Sequence, residues 1–338
     1  MGNTSLIYAE PPTGAPVPGK TLQKRTDDAF DPDKVQLDGG ILVKVAALSL
    51  DPYMRGKMRD PKIQSYTPAY EVGKPLEGYA VGTVVRSEHD SIKVGDTFRG
   101  FLAYSEYVHV PKKKIGGPNK VLANTEGLPF TTLVGAAGMP GQTAWVGLHT
   151  IGQAKKGETI FVSAASGAVG QIVVQLAKSE GLKVIGSAGS DEKVEFVKSL
   201  GADVVFNYKT QSTQEILEQH PPNLYFDNVG GETLDAVLAT IQNKGRIIAC
   251  GSVSQYNVPR DQQYGMKNTM YVVVKSLRWE GFIVSNHDTS EFDREFPKLI
   301  KSGEVKVKEH ITKGIDNGEA FVDMLEGKAH GKAVISIE

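Results

Sequence analysis

The chain has 338 residues, 40% of them apolar, and 38 Lys and Arg against 39 Asp and Glu leave a formal charge of −1. That length allows two domains or one large one, and the near-neutral balance excludes a bulk electrostatic partner such as nucleic acid or an anionic membrane. Every apolar run falls short of the ~20 residues a membrane helix needs, and the single cysteine, Cys250, excludes an internal disulfide and a multi-thiolate zinc site. The opening residues lack a positive region ahead of an apolar stretch, so no secretory signal is expected. Leu6 stands where an N-myristoylation pattern requires Ser or Thr. These features lead to the expectation of a cytoplasmic globular protein.

Thirteen of the 17 prolines lie in residues 1–140, interleaved with glycines and short apolar runs at Ile41–Leu50, Gly78–Arg86 and Phe98–Val110. Strands and tight turns fit that pattern, so the first part is expected to be an irregular β-barrel. From about Thr143 strand-like and helical runs alternate: Thr159–Ser163, Val169–Glu180, Lys183–Ser187, Asp191–Leu200, Asp203–Tyr208, Leu224–Asp227, Thr233–Gln242, Arg246–Cys250 and Leu277–Val284. Such alternation predicts βαβ units and a parallel sheet covered on both faces. Gly181 and Gly201 each follow a helical run and suit left-handed C-terminal caps. From about Phe292 the tail reads as one amphipathic helix followed by a β-like Ala333–Ile337.

Ala165-Ser166-Gly167-Ala168-Val169-Gly170 follows an apolar strand and opens a helix, matching GxGxxG with alanine in the first glycine place. Gly167 would admit a pyrophosphate to the backbone, Gly170 would let helix and strand pack closely, and the helix N-terminus offers free N–H groups. The next strand ends Gly189-Ser190, with no carboxylate before Asp191 to hold the ribose of NAD. Small residues there, the Ser190 hydroxyl and Lys193 favour the 2′-phosphate of NADP. One late cysteine and seven scattered histidines do not supply a catalytic zinc site, so no metal is expected. Cys250 lies in an apolar strand pattern and reads as packing.

Leu50-Asp51-Pro52-Tyr53-Met54-Arg55, Met139 to Ala144, Ala164 to Gly170, Gly189 to Lys193, Asn207-Tyr208-Lys209, Phe226 to Gly231 and Glu280-Gly281-Phe282 occur in that order. This string resembles the zinc-free medium-chain dehydrogenase/reductases of the prostaglandin reductase, leukotriene hydroxydehydrogenase and alkenal double-bond reductase branch. The resemblance implies an α/β fold with a Rossmann-type doubly wound parallel sheet and a GroES-like irregular β-barrel. The barrel would span residues 1–130 completed by 292–338, and the Rossmann domain 131–291. It also implies NADPH, reduction of the carbon–carbon double bond of an enone or enal, and a homodimer. In such dimers the Rossmann sheets pair edge to edge, and a β-like Tyr271–Val274 would supply the edge.

Carried across by motif, the resemblance assigns Ser166, Gly167, Ala168, Val169 and Gly170 to the pyrophosphate. Gly189, Ser190, Lys193 and Tyr208 would meet the adenosine phosphate end. Thr143, Asn228, Cys250, Gly251, Ser252, Phe282, Ile283 and Val284 would line the ribose and nicotinamide. Tyr256, in Ser254-Gln255-Tyr256-Asn257, becomes the candidate catalytic donor and a cofactor contact; Tyr53 and Tyr79 become candidate substrate contacts. Packing beneath the cofactor is the alternative for Tyr256, as is a barrel-core role for the other two. Val274 replaces a tyrosine common in the branch, and Ala329 replaces an asparagine. A zinc-free quinone reductase and a non-catalytic NADPH-binding protein stay open as readings.

Overall fold

The computed structural model describes residues 2–337. The chain divides into two compact units, Met1–Gly135 with Glu309–Glu338, and Ala136–Lys308.

In the first unit β1 (Asn3–Tyr8) pairs antiparallel with β2 (Leu22–Asp27). The larger sheet follows with β3 (Ile41–Ser49), helix α1 (Tyr53–Lys57), β4 (Glu77–Ser87), β5 (Thr97–Ala103), β6 (Tyr107–Val110), β7 (Lys120–Val121) and helix α2 (Phe130–Val134). β3 is buried along its length except at Lys44, as suits a strand with partners on both sides. Register shifts at Leu42/Val43 and Val45/Ala47 against β4 bend the sheet. At the second shift a Cβ on Gly82 would lie 2.1 Å from the Lys44 carbonyl oxygen, so only glycine permits the approach.

The second unit starts with α3 (Met139–Val146), which runs into a π-helical turn at Gly147–Ile151. Strands and helices then alternate: β8 (Thr159–Val162), α4 (Gly170–Ser179), β9 (Lys183–Ala188), α5 (Asp191–Ser199), β10 (Val204–Asn207), α6 (Thr213–Gln219), β11 (Leu224–Asp227), α7 (Gly231–Thr240), β12 (Arg246–Ala249), α8 (Tyr271–Val274), β13 (Arg278–Gly281) and α9 (Ser290–Ser302). The six strands are parallel, in the order β10-β9-β8-β11-β12-β13. Strand order reverses between β8 and β11, where a Rossmann-type sheet opens its ligand crevice. Two apolar clusters cover the sheet's faces, one with Ile172, Val173 and Leu176 of α4, the other with Val237 and Leu238 of α7.

The tail returns to the first unit as β14 (Glu309–Lys313), α10 (Glu319–Leu325) and β15 (Lys332–Ser336), with β15 antiparallel to β3. Counted from Phe292, the tail holds two helices, most of α9 and all of α10, where the sequence pattern predicts one. Residues 292–308, which the family resemblance gives to the barrel, belong instead to the second unit. Phe292 and Phe296 of α9 are fully buried in that unit's core, and the Gln171 and Gln175 side chains hold the backbone of Lys308 and Lys306.

A second correction concerns the predicted edge strand. Tyr271–Val274 is a short helix, and the sheet ends at β13 on that side and at β10 on the other. Turn-forming bonds such as Lys275 N–H to the Tyr271 carbonyl close it locally. The Lys275 ammonium pins its end by donating to the Leu238, Ala239 and Ile241 carbonyls at the C-terminus of α7. That anchoring overrides the strand preference of three valines. No helix among the described residues is long and apolar enough to cross a membrane.

Candidate active site

The turn after β8 is shaped by sterics. A Cβ on Gly170 would lie 2.3 Å from the Ala164 carbonyl oxygen and 2.8 Å from the Ala165 Cα, so helix and strand pack as they do only with glycine there. Gly167 meets only the Ala164 oxygen, at 3.1 Å, and its surroundings are otherwise open. The left-handed residue of the turn is Ala164, at φ 48°, one position before the alanine that occupies the motif's first glycine place. Ala165 N–H donates to the Ser187 carbonyl over 2.9 Å and ties the turn to β9. Ser166 to Val169 thus bridge the end of β8 and the start of α4, where free helical N–H groups suit an anion.

At the ends of β9 and β10 the side chains form a cationic patch. Ser190 caps α5, its hydroxyl accepting the Lys193 N–H over 3.3 Å. Lys193 is buried; desolvation lowers its ammonium pKa first, the charges of Lys209 and Lys308 add to the shift, and Glu192 opposes it. The Tyr208 side chain is exposed, and its hydroxyl would stand 2.9 Å from a Cβ on Gly189, so glycine leaves it room to lie there. Asp191 is engaged by the Asn207 amide at 2.9 Å, and Glu192 lies 3.9 Å from the Lys308 ammonium. Mutually repelling cations beside hydroxyl donors, with the nearby carboxylates already partnered, fit a phosphate dianion.

The strand-order reversal is held by a buried polar network. Asp227 Oδ1 accepts the N–H groups of Val229 and Gly230 and the Tyr225 hydroxyl at 2.7–3.0 Å. Burial pushes this carboxyl up to about 6 against those three donors. Tyr225 Oη also lies 3.0 Å from Ser163 Oγ, and Asn228 donates from its side chain to the Ser163 carbonyl at 2.8 Å. Ser163 and Asp227 escaped the sequence reading; a carboxylate at the carboxyl end of a parallel strand is the signal that points to the latter.

β12 ends beside this network. Cys250 and Gly251 donate their N–H groups to the Asp227 carbonyl oxygen, at 3.0 and 2.9 Å. Burial, with the Asp227 charge adding, pushes the Cys250 thiol up to about 12, so it persists as a thiol. Tyr256 Oη accepts the Ser252 N–H over 3.1 Å, which leaves its own proton available. Burial raises its pKa above the usual phenol value, and it remains a donor at neutral pH. Thr143 is buried on α3 with its hydroxyl donating to the Met139 carbonyl at 2.8 Å. Phe282 packs on the same core, near the π-helical turn: a Cβ on Gly147 would meet its ring at 3.1 Å. Ile283 and Val284 follow it, half-buried, and Val274 is exposed on α8.

Tyr53 and Tyr79 belong to the first unit. Tyr53 opens α1; its hydroxyl is enclosed without a hydrogen-bond partner among the described residues, and burial with the Asp51 charge holds it well above the usual phenol range. Tyr79, on β4, meets Phe101 edge-on with ring centroids 5.8 Å apart. Asp51 is itself buried, accepting from Ser49 at 2.6 Å and from the Lys332 ammonium at 3.1 Å. Ala329, between α10 and β15, packs against this unit's core.

The chain matches two family descriptions, "Zinc-binding dehydrogenase" over residues 168–302 and "N-terminal domain of oxidoreductase" over residues 9–116. Among the described residues no group of three or more His, Cys, Asp or Glu is placed to hold a metal ion. The chain is 40% identical to the NADP-dependent 2-alkenal reductase of Nicotiana tabacum, over 88% of this chain and 87% of that one. It is 35% identical to the NADPH-dependent curcumin reductase of Escherichia coli, over 99% and 97%. Its structure superposes on CurA from Vibrio vulnificus, solved with NADPH, at a TM-score of 0.88 with 32% identity and 99% of each chain covered. With one cysteine, the Rossmann strand order and similarity along its whole length, the chain belongs to the zinc-independent quinone and alkenal reductase family of medium-chain dehydrogenase/reductases.

Proposed function

We propose that this protein is an NADP-dependent oxidoreductase that reduces the carbon–carbon double bond of α,β-unsaturated ketones and aldehydes. NADPH, when bound, supplies a hydride for the β-carbon. What the chain must supply is a fit for the dinucleotide and a hydrogen-bond donor where negative charge builds on the carbonyl oxygen. The fit is supported by the open backbone at Gly167 and by the Lys193, Lys209, Ser190 and Tyr208 patch, which takes the 2′-phosphate.

One observation carries the chemistry: the Tyr256 oxygen accepts the Ser252 N–H, so the phenol is oriented and its proton is free to be donated. A donor preorganised toward developing enolate charge stabilises the transition state more than the ground state. Tyr256 or solvent then delivers the proton to the α-carbon. Tyr53 and Tyr79 contact the substrate. NADPH deuterated at its transferable position tests the chemistry: deuterium must appear at the β-carbon of the saturated product, and its appearance on the carbonyl carbon would refute it.

The same reading places the protein in the cytoplasm, where a lone cysteine stays reduced, as a homodimer. The edge strand β13, with Trp279 exposed, and exposed Met270, Val273 and Val274 shortly before it in the chain support the dimer. Light scattering on the wild type and on Trp279→Glu measures that assembly.

A further inference from the structure

Val305-Lys306-Val307-Lys308 alternates apolar and charged residues, the pattern of an extended chain with one face buried. Val305 is buried and Val307 packs on the same core, while Lys306 is exposed and Lys308 half-exposed. The backbone of this segment pairs with two side chains of α4. Gln171 accepts the Lys308 N–H at 2.8 Å and donates to its carbonyl at 3.1 Å. Gln175 does the same for Lys306, at 2.8 Å each way. Residues i and i+4 of a helix stand about 6 Å apart along its axis, close to the ~6.8 Å between alternate residues of an extended chain. The two amides therefore serve as a strand edge. Gln171 is fully enclosed, and its two-way bond fixes the backbone from which Lys308 projects.

The Lys308 side chain runs along α5. Its ammonium lies 5.3 Å from the centroid of the Phe196 ring and 3.9 Å from a Glu192 carboxylate oxygen. Phe196 and Glu192 are four residues apart on one face of that helix, so the ammonium reaches toward its first turn. Ser190 caps this turn and Lys193 belongs to it. Lys308 is close enough to help depress the Lys193 ammonium, behind desolvation and Lys209 and against Glu192. A helix N-terminus is itself partly positive, so cations gathered around it are mutually unfavourable. A bound dianion relieves that repulsion.

We propose that Lys308, set by Gln171, is a third cation at the 2′-phosphate site and fixes the preference for NADP over NAD. The proposal rests on the reading of Ser190, Lys193 and Tyr208 as 2′-phosphate contacts, and it adds a residue far from them in the chain. Lys308 attracts the phosphate and offsets the charge of Glu192, which repels it. Gln171 acts only through Lys308 and is a positioning residue.

The test measures dissociation constants, by calorimetry, for adenosine 2′,5′-bisphosphate and for 5′-AMP, which lacks only the 2′-phosphate. The wild type is expected to bind the bisphosphate more tightly. Lys308→Met is expected to cut that preference about tenfold, the scale of one charged hydrogen bond, with 5′-AMP binding held. An unchanged preference, or an equal loss for both nucleotides, would overturn the proposal. Lys193→Met checks the parent reading separately; if its preference also matches the wild type, it is that reading which fails. Lys308→Gln repeats the measurement should Lys308→Met not fold.

Gln171→Met keeps a side chain of similar length and removes both bonds to Lys308. It is expected to lower the same preference severalfold, and to change it no further once Lys308→Met is present. Losses that add in the double variant would refute the positioning role and make Gln171 a structural residue alone.

Discussion

Ser252 N–H donates to the Tyr256 hydroxyl oxygen across 3.1 Å, so a backbone amide one turn upstream anchors the phenol as an acceptor and leaves its proton for another group. The same stretch hangs from the sheet, because Cys250 and Gly251 donate to the carbonyl of Asp227 at the end of β11. Strand ends therefore position the candidate donor, which suits a group that must be in place before charge develops.

Removing that donor tests the chemical role. Tyr256→Phe keeps the ring and its packing and is expected to lower kcat by about 10²–10³-fold. NADPH affinity, followed by fluorescence titration, should stay within about threefold of the wild type, a change of well under 1.4 kcal/mol. Unchanged turnover would assign Tyr256 to packing alone.

Lys193→Met deletes one cation from the phosphate patch while keeping a long apolar stem. We expect KM for NADPH to rise about ten- to a hundredfold, the loss of one charge-assisted bond, with KM for NADH little altered. Lys209→Met should act in the same direction more weakly. Equal effects on both cofactors would show that Lys193 does not read the 2′-phosphate.

Gly170→Ala puts a methyl 2.3 Å from the Ala164 carbonyl oxygen, which is backbone and held by the turn. Overpacking of this kind costs about 1–3 kcal/mol, so the melting temperature should fall and NADPH binding weaken together. Gly167→Ala, with its nearest neighbour at 3.1 Å, is expected to lose less stability. Thermal melts with and without NADPH separate the two positions.

Asp227 gives stability a pH dependence of unusual sign. Its carboxyl titrates near 6 in the folded protein and near 3.9 in an unfolded chain, so the native state binds the proton more tightly. Its contribution is thus most favourable below about pH 4, falls as pH rises through 4 to 6, and is level above that. Asp227→Asn keeps an oxygen acceptor for the Val229 and Gly230 amides and removes the charge. Its stability relative to the wild type should improve by on the order of 2 kcal/mol between pH 4 and pH 7. Denaturant melts at the two pH values check this, and a difference that stays constant would contradict it.

Much of the second unit is legible in the sequence because its signals are local. Apolar strand, Gly167-Ala168-Val169-Gly170 and amphipathic helix each constrain the backbone within a few residues, and glycine at 170 has a steric reason that any reader can anticipate. Ser190 and Lys193 are equally close to their strand end. The valines before Lys275 mislead because a lysine anchored on α7 decides their conformation, and that anchor is 34–37 residues distant in the chain. Phe292 and Phe296 read as part of a barrel-completing tail, yet their partners are in the core of the second unit.

The most direct measurement follows NADPH absorbance with a 2-alkenal, a benzylidene ketone, a quinone, and, in reverse, a primary alcohol with NADP. The account predicts oxidation of NADPH with the enal and the enone, saturated carbonyl products, and no alcohol oxidation. Consumption with the quinone alone, or NADPH binding without turnover on any acceptor, would contradict it.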